Sequence, residues 1–170
     1  MKKFLSLLLI GAALALVLFR AQAGKEETAK GASLTPTAAD LAPAPKVEKS
    51  DEEWKALLTP AQYAILRGHS TERAGSSVLL SEHRRGVFHC AGCNAPLFAS
   101  DGKFDSGTGW PSFTKPFVDQ NLVIMKDEDR DEVRCARCGG HLGHVFDDGP
   151  APTGKRYCMN GVVLKFEERS

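Results

Sequence analysis

The stretch CARCGGHLGHVF, Cys135–Phe146, decides how the rest of this chain reads. It opens with a Cys-x-x-Cys pair, continues through a glycine, and sets His141 and His144 ahead of an apolar run. Upstream, CAGC (Cys90–Cys93) repeats the device, with Asn94 standing where Gly139 follows the second pair. Asn and Gly both tolerate the left-handed backbone that a zinc knuckle needs, so that backbone N–H groups can point at thiolate sulfurs. Two such knuckles supply four thiolates, the ligand set of a closed, structural Zn²⁺ site. The gap from Asn94 to Arg134 is 41 residues, wider than the ~15–20 of a compact zinc ribbon. A metal here would clamp two distant hairpins rather than create a minidomain. The alternatives are two disulfides, which ordinarily close longer loops, or a redox Cys-x-x-Cys, which comes singly at a helix N-terminus.

Outward from the knuckles the texture is that of strands. VFHC (87–90), NLVIMK (121–126), EVRC (132–135), LGHVF (142–146) and GVVLKF (161–166) are short apolar runs punctuated by Gly, Pro, Asn and Asp. DEDRD (127–131) reads as an exposed turn between two of them. N-terminal to this region, SDEEW offers a Ser50 cap with Glu53 three residues on, and TPAQYAILRG repeats the pattern with Thr59, Pro60 and Gln62, ending before Gly68. Two short helices follow, with Trp54, Leu57, Tyr63 and Leu66 as apolar contacts. The expected domain, residues 51–168, is mainly antiparallel β with short peripheral N-terminal helices.

The remaining sequence has other roles. Met1–Ala23 has a basic start, an apolar run from Phe4 to Phe19 and a small-x-small end at Ala21-Gln22-Ala23. That is the form of a secretory signal cut before Gly24. The rival is an uncleaved anchor, although the run is short of the ~20 residues of a membrane span. The expected location is therefore exported, periplasmic or extracytoplasmic, with a membrane tether only if the signal stays. Residues 24–50 lack aromatics and are rich in Ala, Pro, Thr and Lys, the composition of a disordered tether. The whole chain of 170 residues carries a net charge of +1, and losing Lys2, Lys3 and Arg20 would leave −2. Neither value suits an electrostatically driven nucleic-acid binder.

A fifth cysteine, Cys158, has no pair, and in an exported chain an odd thiol needs a reason. If KRYCMN (155–160) is extended, Arg156, Cys158 and Asn160 share one face while Tyr157 and Met159 take the other. A guanidinium on the same face favours a thiolate, and Asn160 offers hydrogen bonds to a polar group; an inert buried cysteine is the alternative. His141 and His144 are natural proton donors near neutral pH, with core packing or metal ligation as competing roles. A spacing of three suits a turn or helix better than a flat strand. FDSGTGWPSF (104–113) is a glycine- and proline-shaped loop carrying Trp110 and Phe113, either core aromatics or a wall for a small apolar group.

Taken together and in order, CAGCNAPLF, KFDSGTGWPSF, CARCGGHLGHVFDDGP and KRYCMN resemble the B-type peptide-methionine (R)-S-oxide reductases over roughly Asp51 to Phe166. The resemblance implies two antiparallel sheets with peripheral helices and one structural zinc on Cys90, Cys93, Cys135 and Cys138. It implies Cys158 as nucleophile, passing through a sulfenic acid. Arg156 would help activate the thiol, and His141, His144 and Asn160 would bind or polarise the sulfoxide. Trp110, with Phe113, would meet the substrate methyl. The partners implied are oxidised proteins carrying methionine-(R)-sulfoxide, in a repair role under oxidative stress, and a thioredoxin-like, glutaredoxin-like or small-thiol reductant. No nucleic acid is expected, and a monomer is. Relatives often place a resolving cysteine where this chain has Thr108, and no sixth cysteine exists. Gly161 stands where serine is common, and TERAGSS lacks the usual proline and aromatic after its arginine. The rival classes are a zinc-clamped binding module, supported by the knuckles and Arg84-Arg85, and a disulfide-stapled extracellular domain.

Overall fold

Short apolar runs that alternate sides cannot bury themselves alone, and here they pair into two antiparallel sheets. The computed structural model describes residues 33–126 and 130–170. The signal-like segment, the first part of the tether and most of the 127–131 turn lie outside the described residues. Among the described residues nine strands follow in order: β1 Gly86–Cys90, β2 Pro96–Ala99, β3 Lys103–Phe104, β4 Ser112–Phe113, β5 Leu122–Met125, β6 Asp131–Cys135, β7 His141–Phe146, β8 Arg156–Met159 and β9 Leu164–Glu168. One sheet runs β2-β1-β9 and the other β3-β4-β8-β7-β6-β5. The run GVVLKF is only partly strand. Gly161–Val163 is a 3₁₀ turn, and pairing with β1 begins at Leu164.

The helices start where their caps predict. Ser50 and Glu53 form a reciprocal capping box ahead of a helix at Asp51–Leu57, and Thr59 with Gln62 does the same for Pro60–Leu66. An earlier one-turn helix, Ala38–Leu41, is capped by Thr37 and Asp40. In chain order these are α1 (Ala38–Leu41), α2 (Asp51–Leu57) and α3 (Pro60–Leu66). Trp54 and Leu66 are buried and Tyr63 packs against the core. Leu57, expected as an apolar contact, is 55% exposed at the end of its helix, and Leu58, four residues on from Trp54, is buried in its place.

Composition predicts a disordered tether as far as residue 50, yet Leu34–Ser50 follows the domain surface. The Leu34 N–H reaches Asp101, the Val47 N–H donates to the Arg137 carbonyl, and Arg137 returns a bond to the Pro45 carbonyl. Asp40 receives both arms of Arg169 at 2.8 and 2.9 Å. Arg169 holds its carboxyl well below the usual range, against the opposing effect of burial. Hydrogen bonds and one bidentate ion pair order this stretch, together with Leu34 and Val47, which pack against the core. No helix among the described residues is long and apolar enough to cross a membrane.

The two sheets meet through aromatic rings. Phe98 stacks on Phe113 with centroids 4.5 Å apart, and Phe88 meets Phe113 edge-on at 5.0 Å. Phe113 is fully buried there. It is a core residue between sheets and not part of a substrate wall, because its place on β4 opposite Tyr157 points it inward.

Candidate active site

Cys158 lies on β8, the strand between β4 and β7, and its cross-strand neighbours are Ser112 and His144. Opposed residues of antiparallel strands bring their Cβ atoms to about 4.5–5.5 Å. Thiol and imidazole are therefore neighbours by register, 14 positions apart in the chain. Met159 is fully buried and Tyr157 packs on the core, while Arg156, Cys158 and Asn160 face a cavity of about 230 Å³. Trp110, Thr108, His144 and Phe146 complete much of its wall. A larger groove, about 630 Å³, runs between α3, the 70–79 loop and Val162; it contains neither thiol nor imidazole.

A bulge solves the parity problem of His141 and His144. Val133 pairs with Gly143 and Arg134 with His141, so Leu142 is an extra residue on β7. That one insertion puts His141 and His144 on the same side although they are three apart, with ring centroids at 5.3 Å. Gly143 is required next to it, since a Cβ there would lie 2.1 Å from the Cys158 carbonyl oxygen. His144 lines the cavity; His141, 2% exposed, sits behind it and does not.

Glu132 on β6 holds His141. The His141 Nδ1–H donates to Glu132 Oε1 at 2.6 Å, His69 Nδ1 lies 3.0 Å from the same oxygen, and Arg134 donates to Oε2 at 2.6 Å. Burial alone would raise the Glu132 carboxyl, but the Arg134 and His141 hydrogen bonds outweigh it and hold it down at about 2. Burial pushes the His141 pKa down, partly offset by Glu132. A neutral His141 thus carries its proton on Nδ1, since an ionised carboxylate only accepts. Its Nε2 is buried without a partner. His69, Glu132 and His141 gather possible metal-ligating atoms within 4.8 Å. Both Glu132 oxygens are already satisfied by donors, so protons suffice there. Period-two spacing of Glu132 and Arg134 on one strand was the sequence signal for this pair.

Arg156 lies over the Phe146 ring at 4.3 Å and donates Nε and Nη2 to both oxygens of Asp148, each at 2.8 Å. Asp148 raises the Arg156 pKa, burial opposes it, and the nearby Cys158 sulfur adds a smaller favourable part. Asn160 is largely committed to the scaffold. Its Oδ1 accepts the Glu72 N–H at 2.9 Å and its Nδ2 donates to the Leu142 carbonyl at 3.0 Å, leaving one Nδ2 hydrogen for a ligand.

Glu72 was not legible as a site residue, yet it joins three walls. Its carboxylate accepts the N–H groups of Gly161 and Val162 at 2.6 and 3.0 Å, and its carbonyl accepts the Trp110 indole N–H at 3.2 Å. Gly75 N–H then bonds the Gly109 carbonyl at 2.8 Å. The TERAG segment therefore fixes Trp110 and Asn160 together. Gly161 suits this arrangement, because a Cβ there would lie 2.0 Å from the Ser77 hydroxyl.

The four remaining cysteines converge. Their sulfurs lie within 4.8 Å of one another, with Cys93 and Cys135 at 3.4 Å and Cys90 and Cys138 at 3.7 Å. A disulfide would need about 2.05 Å, whereas a tetrahedron with Zn–S of about 2.3 Å has edges of about 3.8 Å. Asn94 and Gly139 adopt φ of 62° and 70°, and their N–H groups bond the carbonyls of Cys90 and Cys135, each at 2.8 Å. The donor set and both turns fit a structural metal centre. The first knuckle joins β1 to β2 and the second joins β6 to β7, so the cluster ties the two sheets beside the strand that carries His141 and His144.

A SelR domain model matches residues 58–168. The chain belongs to the MsrB family. A peptide methionine sulfoxide reductase MsrB of Bradyrhizobium diazoefficiens is 53% identical over 132 residues, covering 73% of this chain and 92% of the relative. The protein of the same description from Methanosarcina barkeri is 54% identical, covering 71% and 88%. That of Agrobacterium fabrum is 51% identical, covering 72% and 94%. Among solved structures, the crystal structure of the Mis18 'Yippee-like' domain covers 51% of this chain and 99% of its own, at 17% identity and a TM-score of 0.40; so slight a likeness carries no argument.

Proposed function

We propose that this member of the MsrB family reduces methionine-(R)-sulfoxide in proteins to methionine, with Cys158 as nucleophile and an outside thiol as reductant. The register pairing of Cys158 with His144, in a cavity walled by Trp110, is the observation that carries this reading. The Cys158 thiolate attacks the sulfoxide sulfur while His144 supplies a proton to its oxygen. The protonated oxygen then passes to the Cys158 sulfur: the substrate S–O bond and the transient sulfur–sulfur bond break, methionine leaves with the electron pair, and Cys158 is left as a sulfenic acid. Trp110 offers an apolar face to the methyl group, and the remaining Asn160 Nδ2–H points to a polar one.

A thiol then attacks Cys158, the S–O bond breaks, and the oxygen leaves as water; a second thiol reduces the mixed disulfide. No other cysteine lines the cavity, so the donor is a thioredoxin-like or glutaredoxin-like protein or a small thiol. Cys90, Cys93, Cys135 and Cys138 would hold one Zn²⁺, whose contribution is to clamp the sheets. The signal-like Met1–Ala23 supports action outside the cytoplasm, in repair of oxidised exported proteins.

An epimer-resolved assay with dithiothreitol tests the reading. The R epimer is reduced, the S epimer is not, and Cys158→Ser abolishes turnover; activity surviving that substitution overturns the mechanism. After one turnover without reductant, mass spectrometry finds sulfenic acid on Cys158, and a disulfide to a knuckle cysteine would sink the outside-thiol route.

A further inference from the structure

Three hydroxyls stand in line behind the nucleophile. Thr108 Oγ1 is 3.9 Å from Cys158 Sγ, Ser106 Oγ is 2.8 Å from Thr108 Oγ1, and Ser112 Oγ is 2.8 Å from Ser106 Oγ. The chain ends where Ser112 Oγ donates to the Trp110 carbonyl at 3.2 Å. Ser112 is fully buried and is the cross-strand partner of Cys158, so this end is built into the sheet.

Each hydroxyl has a single proton, and that sets the direction of the line. A carbonyl only accepts, so the Ser112 proton goes to Trp110. Ser112 must then accept from Ser106, and Ser106 from Thr108. What Thr108 presents to Cys158 is a lone pair. The line thus favours a protonated group on the sulfur, and bonds in such a chain polarise one another in the same sense. The gap of 3.9 Å exceeds an O–H···O hydrogen bond of about 2.7 Å. An S–O bond, bent at its oxygen and followed by one such hydrogen bond, spans that distance.

We propose that Thr108, backed by Ser106 and Ser112, accepts the O–H of the Cys158 sulfenic acid and keeps that intermediate neutral and oriented until a thiol arrives. The inference rests on the reading of Cys158 given above. Its chemistry is specific. A neutral sulfenic acid is electrophilic at sulfur, so an incoming thiolate forms the S–S bond as the S–O bond breaks and the oxygen, taking up a proton, leaves as water. Its deprotonated form is a better nucleophile, which peroxide oxidises onward to the sulfinic acid. Thr108 therefore acts in place of an internal partner thiol: it preserves the intermediate and does not consume it.

The test needs no sulfoxide. Hydrogen peroxide converts the Cys158 thiolate directly to sulfenic acid, releasing hydroxide, and a second equivalent gives the sulfinic acid. Wild type, Thr108→Val, Thr108→Ser and Ser106→Ala are exposed to equal peroxide, and the sulfenic and sulfinic forms of Cys158 are followed by dimedone labelling and mass spectrometry. Thr108→Val matches threonine in shape and lacks only the hydroxyl. It is expected to reach sulfinic acid about three- to tenfold faster, the worth of one hydrogen bond. Thr108→Ser stays within about twofold of wild type, and Ser106→Ala, which removes the support for Thr108, falls between. Equal sulfinic acid formation in Thr108→Val and wild type overturns the proposal. A wild type that shows this pattern but reduces no sulfoxide refutes the reaction assignment alone, so the two failures are distinguishable.

Discussion

Replacing Glu132 by Gln removes a buried charge while keeping the side chain's shape. The carboxylate accepts from His141 and Arg134 at 2.6 Å each and lies 3.0 Å from His69 Nδ1. These bonds hold its pKa at about 2, against an ordinary 4.5. The difference corresponds to stability on the order of 3 kcal/mol. The sign follows from a depressed folded pKa: the contribution is complete above the unfolded value and is lost as pH falls through the folded one. Urea unfolding of wild type and Glu132→Gln from pH 7 to pH 2.5 measures it. The two differ by on the order of 3 kcal/mol at pH 6–7, and the gap narrows steadily below about pH 5. Both proteins carry the same four-cysteine cluster, so its own response to acid cancels in the difference. A gap that stays constant with pH, or widens in acid, refutes the assignment of Glu132 as an ionised hub.

Three further outcomes are expected. Gly143→Ala places a Cβ 2.1 Å from the Cys158 carbonyl oxygen, so β7 and β8 must part. It costs about 1–3 kcal/mol or more and abolishes turnover, read by thermal unfolding and the sulfoxide assay together. Phe113→Ala opens a cavity between the sheets and costs about 3–5 kcal/mol in urea unfolding, while KM for sulfoxide in the surviving folded protein stays near wild type; a large rise in KM would return Phe113 to the substrate wall. Cys135→Ser removes one member of the sulfur tetrahedron. Metal analysis is expected to fall from one zinc per chain to well below that, with a lower melting temperature, whereas a thiol titration showing intact disulfides in wild type would contradict the metal reading.

Features governed by neighbours in the chain were legible in advance. The capping boxes at Ser50 and Thr59 are set by side chains three residues apart. The left-handed turns at Asn94 and Gly139 follow from residues that tolerate positive φ. Leu57 and the stretch before Ser50 were misread because exposure on a one-sided helix, and ordering by Arg137 and Arg169, depend on distant partners. His141 and His144 were legible as a pair, but their separate roles were not. The bulge at Leu142 exists only in the pairing of β6 with β7. Glu72 shows the same limit, since its importance lies in contacts to residues 110, 160, 161 and 162.

By itself the sequence determined the chemistry available: four cysteines in two knuckles, a fifth left over, and alternation that puts Arg156, Cys158 and Asn160 on one face. Period and spacing are local, and strand geometry converts them directly into sides. Tertiary structure alone decided which groups meet the fifth thiol. It set His144 beside Cys158, moved His141 behind it, buried Phe113, kept Trp110 at the cavity and brought a line of hydroxyls to the sulfur. The strand-borne choices depend on register between strands far apart in the chain, and a shift of one residue would turn His144 and Phe113 to the opposite face, whereas Trp110, Thr108 and Ser106 are placed by the loop before β4.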